Sequence, residues 1–229
     1  MTRYFTPALF GFIRELKQNN DRPWFKENQA RFEEVVREPA LDFISDFGEP
    51  LLKVSKHFTA DPRKVGGSLF RIQRDTRFVA KDTPPYKEWV GIHFRHIATR
   101  DDVHAPGLYL HIAPRECFAA LGLWRPSTED ANKIRQAIVD DPAAWKRAAY
   151  NKRFLELYEV SGESLKRPPR GFDPEHPMLL DLKKKEFIAS SKLTQAEVTS
   201  PNFMDIYLER VKAGVPFIEF LTEGIGLTF

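Results

Sequence analysis

The change of hydrophobic period at Gly66-Gly67 is the feature that most limits what this chain can fold into. Before it, apolar residues recur at helical spacing: Leu9, Phe10, Phe12, Ile13 and Leu16, then Trp24, Phe25, Phe32, Val35 and Val36. Thr6 and Asp21 stand as N-cap residues with Pro7 and Pro23 close behind, and Pro39 breaks or restarts a third helical stretch that runs to about Ser55. After the glycines, residues 68–75, 91–97 and 107–113 alternate apolar with polar, the period of half-buried strands. A fourth run, 117–124, is apolar without clean alternation and reads as a strand covered on both faces.

Helical spacing returns at 127–139 and 142–150, capped by Ser127 and Asp141. Residues 166–171, with two prolines and three cations, read as a surface linker. A short helix at 176–185, an edge strand at 186–192 and a helix at 201–211, extended past Pro216 by 217–221, complete the chain. The expected fold is α+β, a mainly antiparallel sheet of about four to five strands packed on N- and C-terminal helices. One domain spans 1–229, with N-terminal helices at 6–55, a sheet region at 66–124 and a C-terminal helical region at 127–229.

A single cysteine, Cys117, cannot close an intramolecular disulfide and suits a reducing compartment. The N-terminus shows no charged segment leading into an apolar one, and no run of about 18 apolar residues occurs. The expectation is a cytoplasmic protein with no membrane partner. Between Arg63 and Arg100 there are nine Lys/Arg and three acids, +6 in a chain whose net charge is +3. The positive charge is concentrated on the sheet region.

Parity along the strands sorts these residues by face. One face carries Phe70, Ile72, Ile92, Phe94, Leu108, Leu110 and Ile112 and is the expected core face. The other carries Arg71, Gln73, His93, Arg95, Tyr109 and His111. On neighbouring strands these six converge on a patch of roughly 10 by 15 Å. A face that only meets solvent would favour Thr, Lys, Glu and Ser, whereas Arg, His and Tyr suit planar or anionic groups. Ordinary half-buried histidines, with arginines paired to acids elsewhere, are the competing structural account. Arg74 falls on the core parity and needs a partner, which moves it toward a structural role.

The string Arg71-Ile72-Gln73-Arg74-Asp75-Thr76-Arg77-Phe78, followed by Lys81-Asp82 and Pro85-Tyr86-Lys87, resembles the signature of an uncharacterised bacterial family, DUF2461 or TIGR02453. The likeness continues through residues 107–112 and most of the chain. It implies boundaries and no activity. Gln73 stands where that family tends to have Tyr, and Asp82-Thr83-Pro84-Pro85-Tyr86-Lys87 replaces Asp-Lys-Thr-Pro-Tyr-Lys, leaving this loop stiffer and less basic.

Other chemistries are weakly signalled. His93, His111 and either Asp75 or His96 could be drawn as metal ligands, but metal-ligand spacing is absent and the arginines repel a cation, so no metal and no cofactor is expected. Cys117 sits in an apolar run that argues core and not nucleophile. No phosphate-binding glycine loop or nucleophile elbow occurs.

Two functional readings stay open. The first is a small-molecule site for a carboxylate or phosphate on the polar face, roofed by residues 76–90. Arg71, Gln73, Arg95, Tyr109, Arg77 and Lys87 would bind, with His93 and His111 as candidate acid–base groups and catalysis left open. The second is a nucleic-acid or acidic-partner binding protein using the basic 63–100 surface.

Overall fold

The computed structural model describes residues 2–229 apart from Thr76, Phe78, Val79 and Lys81. Lys81, counted in the basic window, therefore lies outside the described residues, as do three positions of the expected 76–90 roof.

The N-terminal quarter is helical: α1 (Pro7–Gln18), α2 (Arg22–Glu27), α3 (Gln29–Phe32), a π-helical turn (Glu33–Arg37) and α4 (Glu38–Leu52). Asp21 caps α2 by accepting from the Trp24 N–H, whereas Thr6 occupies the α1 N-cap without a side-chain bond. Pro39 neither breaks nor restarts the helix: backbone is helical on both sides of it, and it follows closely on the π-helical turn, where its ring removes one N–H from the ladder.

Among the described residues six strands form one antiparallel sheet in the order β1-β2-β3-β4-β6-β5. They are β1 (Phe58–Thr59), β2 (Val90–His96), β3 (Gly107–Ala113), β4 (Glu116–Leu123), β5 (Glu159–Ser161) and β6 (Phe187–Leu193). Between β4 and β6 lie α5 (Thr128–Asp140), α6 (Pro142–Ala149), α7 (Lys152–Leu157) and α8 (Leu179–Leu182). After β6 come α9 (Gln195–Val198) and α10 (Phe203–Gly224), the latter continuous through Pro216.

Four further expectations need correction. β4 is not covered on both faces, since Phe118 and Ala120 are half-exposed on the open one. Residues 68–75 do not form a strand: they touch the sheet through isolated bridges, Leu69 to Ile92 and Gln73 to Tyr86, with a bend between. The 186–192 strand is internal, because the three-residue β5 pairs along its outer side. The expected 176–185 helix shrinks to the four residues of α8.

On the covered face Ile92, Leu110 and Ala119 stand in one cross-strand row, and Phe94, Leu108, Leu121 and Ala189 in the next. All are at most 2% exposed. α4 and α10 pack here, with Phe47 of α4 4.7 Å from Phe94 between ring centroids and Tyr207 of α10 6.1 Å from it. Burying such a phenylalanine contributes about 1.5–3 kcal/mol. The opposite face keeps Tyr109, His111, Phe118, Ala120 and Ser190 half-exposed. Helix packing on one side thus leaves the other side of the same strands less covered.

Candidate functional site

Strand register brings the centre of the expected patch together. His93 faces Tyr109 across β2 and β3, His111 faces Gly91 on one side and Phe118 on the other, and Arg95 faces Gly107. His111 is the pivot. Its ring stacks on Phe118 at 4.7 Å and 6°, Trp89 leans over it at 5.2 Å, and its Nδ1 lies 3.1 Å from the Tyr109 hydroxyl. Burial pushes the imidazole below its ordinary value, against a partial opposing pull from Glu116.

His93 is a different case. It is 7% exposed, and burial, with Arg95 adding repulsion, pushes it down to about 3. Its Nδ1 is buried and finds no hydrogen-bond partner among the described residues. Its other nitrogen lies over Gly107: a Cβ there would fall 2.0 Å from Nε2, so only glycine leaves room for the ring. Gly91 plays the matching part below the rings, where a Cβ would meet Trp89 at 2.5 Å and the Tyr109 hydroxyl at 2.8 Å.

Parity misplaced Phe70. Because Leu69 takes the place opposite Ile92, Phe70 turns to the open face, 5.8 Å from His93, 6.0 Å from Tyr109 and 6.2 Å from Trp89. The bend after it returns Ile72 to the core at 4% exposure, so one alternation rule cannot hold across 68–75. Phe70, which parity put on the core face, and Phe118 are the site residues that sequence reasoning missed. The available signal was the aromatic density of 70–118 itself.

The outer members sit apart from this cluster. Arg71, whose side chain is 64% exposed, lies 3.5 Å from Asp75, and Arg77 binds the same carboxylate at 2.6 Å. The Arg77 guanidinium and backbone N–H, with Arg71 beyond them, hold the Asp75 carboxyl well below the usual carboxylate range. Gln73 is exposed at its bridge to Tyr86, and Arg95 donates to the Gly67 carbonyl at 3.1 Å. Arg74 is structural, donating to the Tyr86 carbonyl at 3.0 Å rather than to a carboxylate. Lys87 donates to the Arg71 carbonyl at 2.6 Å and stands over Phe70 and Trp89 at 5.6 and 5.3 Å. Burial first, then Arg71 and Arg74, bring its ammonium down to about 8.

The loop that carries Lys87 is tied down at Tyr86. Asn20 accepts from the Tyr86 N–H at 3.0 Å and donates to its carbonyl at 3.1 Å, while the Tyr86 ring stacks on Phe25 at 4.1 Å. Along residues 64–73 runs a groove of about 500 Å³, floored by Phe70, Ile72, Trp89 and Val90 and walled by Phe32 and Val36. Its charged lining residues, among those described, are Arg37, Lys64, Arg71 and Arg95, all cations. Arg37 pairs with Glu33 and Arg71 with Asp75, whereas Lys64 and Arg95 meet no carboxylate among the described residues.

Cys117 lies on the covered face, its thiol against the Ala113 carbonyl at 3.3 Å, and so on the side of the sheet away from His111. No group of three or more His, Cys, Asp or Glu side chains gathers among the described residues, and no described helix is long and apolar enough to cross a membrane.

Fold and site together define an α+β protein whose antiparallel sheet is helix-covered on one face and carries rings and cations on the other. The chain belongs to the family described as "Conserved hypothetical protein (DUF2461)", whose model matches residues 8–220. No curated protein and no solved structure matches the chain.

Proposed function

We propose that the chain binds a small carboxylate or phosphate compound in the groove along residues 64–73, with a flat part of the ligand against Phe70 and Trp89. The carrying observation is the groove's charge: every charged lining residue among those described is a cation. A cleft of about 500 Å³ is within the range of small-molecule sites, and guanidinium forks match carboxylate and phosphate oxygens. Arg71 and Arg95 are the expected grips, with Gln73, Arg77 and Lys87 around the rim. Tyr109 and His111 lie beyond Trp89 on the same open face. His93, held neutral by burial, is a poor proton carrier at neutral pH, so His111 is the acid–base candidate should a reaction follow.

The test is a thermal-shift screen with inorganic phosphate, mononucleotides and carboxylic acids. A ligand at about 100 times its Kd stabilises the fold by about 2.7 kcal/mol, a shift of several degrees. No shift with any of the three classes rejects the reading. Retention on single-stranded RNA or DNA that falls steeply with salt, without a small-molecule shift, would favour the nucleic-acid alternative.

A further inference from the structure

Lys87 stands at the rim of that groove without a salt bridge to any carboxylate among the described residues. Its amine donates to the Arg71 carbonyl and stands over the Phe70 and Trp89 rings, and all three of these residues line the groove. The charged groups around it push in one direction. Arg71 and Arg74 face it from residues 71–74, Asp75 is taken by Arg77 and Arg71, and Glu88 turns away to Lys17 at 3.4 Å and Asn20 at 3.5 Å. Lysines that form Schiff bases are commonly desolvated and set next to other cations, which is this arrangement.

We propose that Lys87 is a covalent capture residue: its Nζ adds to the aldehyde or ketone carbonyl of an anionic ligand in the groove and holds it as an imine. This rests on the anion-binding reading above and adds the class of ligand, an oxo acid or a phosphorylated aldehyde. The neutral amine forms the N–C bond while the carbonyl π electrons move to oxygen, which takes one Nζ proton. The C–O bond then breaks, and the hydroxyl leaves as water with the second Nζ proton as C=N forms. Protonation from solvent gives an iminium whose single N–H can keep the bond to the Arg71 carbonyl. The depressed amine supplies the neutral form near physiological pH, and the cations that depress it also attract the ligand's anionic group.

The experiment uses the full chain, with pyridoxal 5′-phosphate as the probe, at pH about 7.5, where an ordinary lysine is almost wholly protonated. Borohydride reduction fixes any imine, and peptide mass spectrometry locates it. Lys87 should be labelled about tenfold faster than the exposed Lys152 and Lys192, because its neutral fraction is far larger though each amine is less nucleophilic. Inorganic phosphate should slow Lys87 labelling alone. Lys87→Arg should lose the label while Lys152 and Lys192 keep theirs, and the phosphate-dependent rise in Tm is read on the unaltered chain. Even labelling of all exposed lysines, with that rise intact, overturns the covalent step and leaves the groove reading standing. Even labelling together with no rise overturns both.

Discussion

The Tyr109 hydroxyl lies 3.1 Å from His111 Nδ1, linking two side chains two residues apart on the same face of β3. With Nδ1 beside the phenol and the ring flanked by Phe118 and Trp89, the Nε2 edge of His111 is the part that these described neighbours leave to a ligand. Tyr109→Phe should cost about 1 kcal/mol, the worth of one such hydrogen bond, measured by urea unfolding. It should also change the tautomer balance of His111, read from its ring nitrogens by NMR. An unchanged tautomer ratio would show that the phenol does not set the imidazole.

Acid should weaken the fold from just below neutral pH. His93 is pushed down to about 3 and His111 is lowered as well, so near pH 6 the unfolded chain takes up protons that the folded chain refuses. The stabilisation is full above the unfolded histidine value of 6.5 and is lost as pH falls below it. For His93 the loss is about 2 kcal/mol between roughly pH 7.5 and 5. His93→Leu should flatten that slope, and an unaltered slope in the variant would assign it to other groups.

Arg71→Glu should weaken phosphate binding about tenfold by reversing a charge on the groove wall. Unfolding free energy should change by no more than about 0.5 kcal/mol, since the side chain is 64% exposed and its pairing with Asp75 is solvent-screened. Arg77→Glu, outside the described lining of the groove, should affect phosphate less. Equal sensitivity at both positions would point to a diffuse basic surface. Titration with phosphate by calorimetry separates the cases.

Asn20→Ala should release the loop that carries Lys87. Two hydrogen bonds to the Tyr86 backbone disappear, costing about 2 kcal/mol. Amide exchange should quicken at Tyr86 and at Arg74, whose N–H bonds the Pro85 carbonyl. Protection unchanged at both amides would mean that the Phe25 stack alone holds the loop.

β2 and β3 were legible within one residue because alternation there reflects real burial, whereas β4 was found only as an apolar run: Ile92, Leu110 and Ala119 stand in a row on the covered face. Residues 68–75 have the same alternation, but only two bridges hold them and the phase slips after Phe70, so Phe70 was assigned to the wrong side. The internal position of β6 was hidden because its outer neighbour, β5, is three residues long and too short to leave a pattern. At the site, His93, Tyr109 and His111 came from parity. Their partner Phe118 did not, since an aromatic side chain reads as core until its face is known. The basic groove depends on Arg37, which approaches from the helical N-terminal region and carries no local signal of that meeting.

Gly107 and His93 occupy one volume between them, because a methyl group on the first would stand 2.0 Å from the ring of the second. The two positions are therefore not independent during sequence divergence. A relative that acquires a side chain at the position of Gly107 must already have a smaller residue at that of His93, and a relative that keeps the imidazole must keep the glycine. The pair should diverge in a fixed order, the imidazole lost before the glycine is.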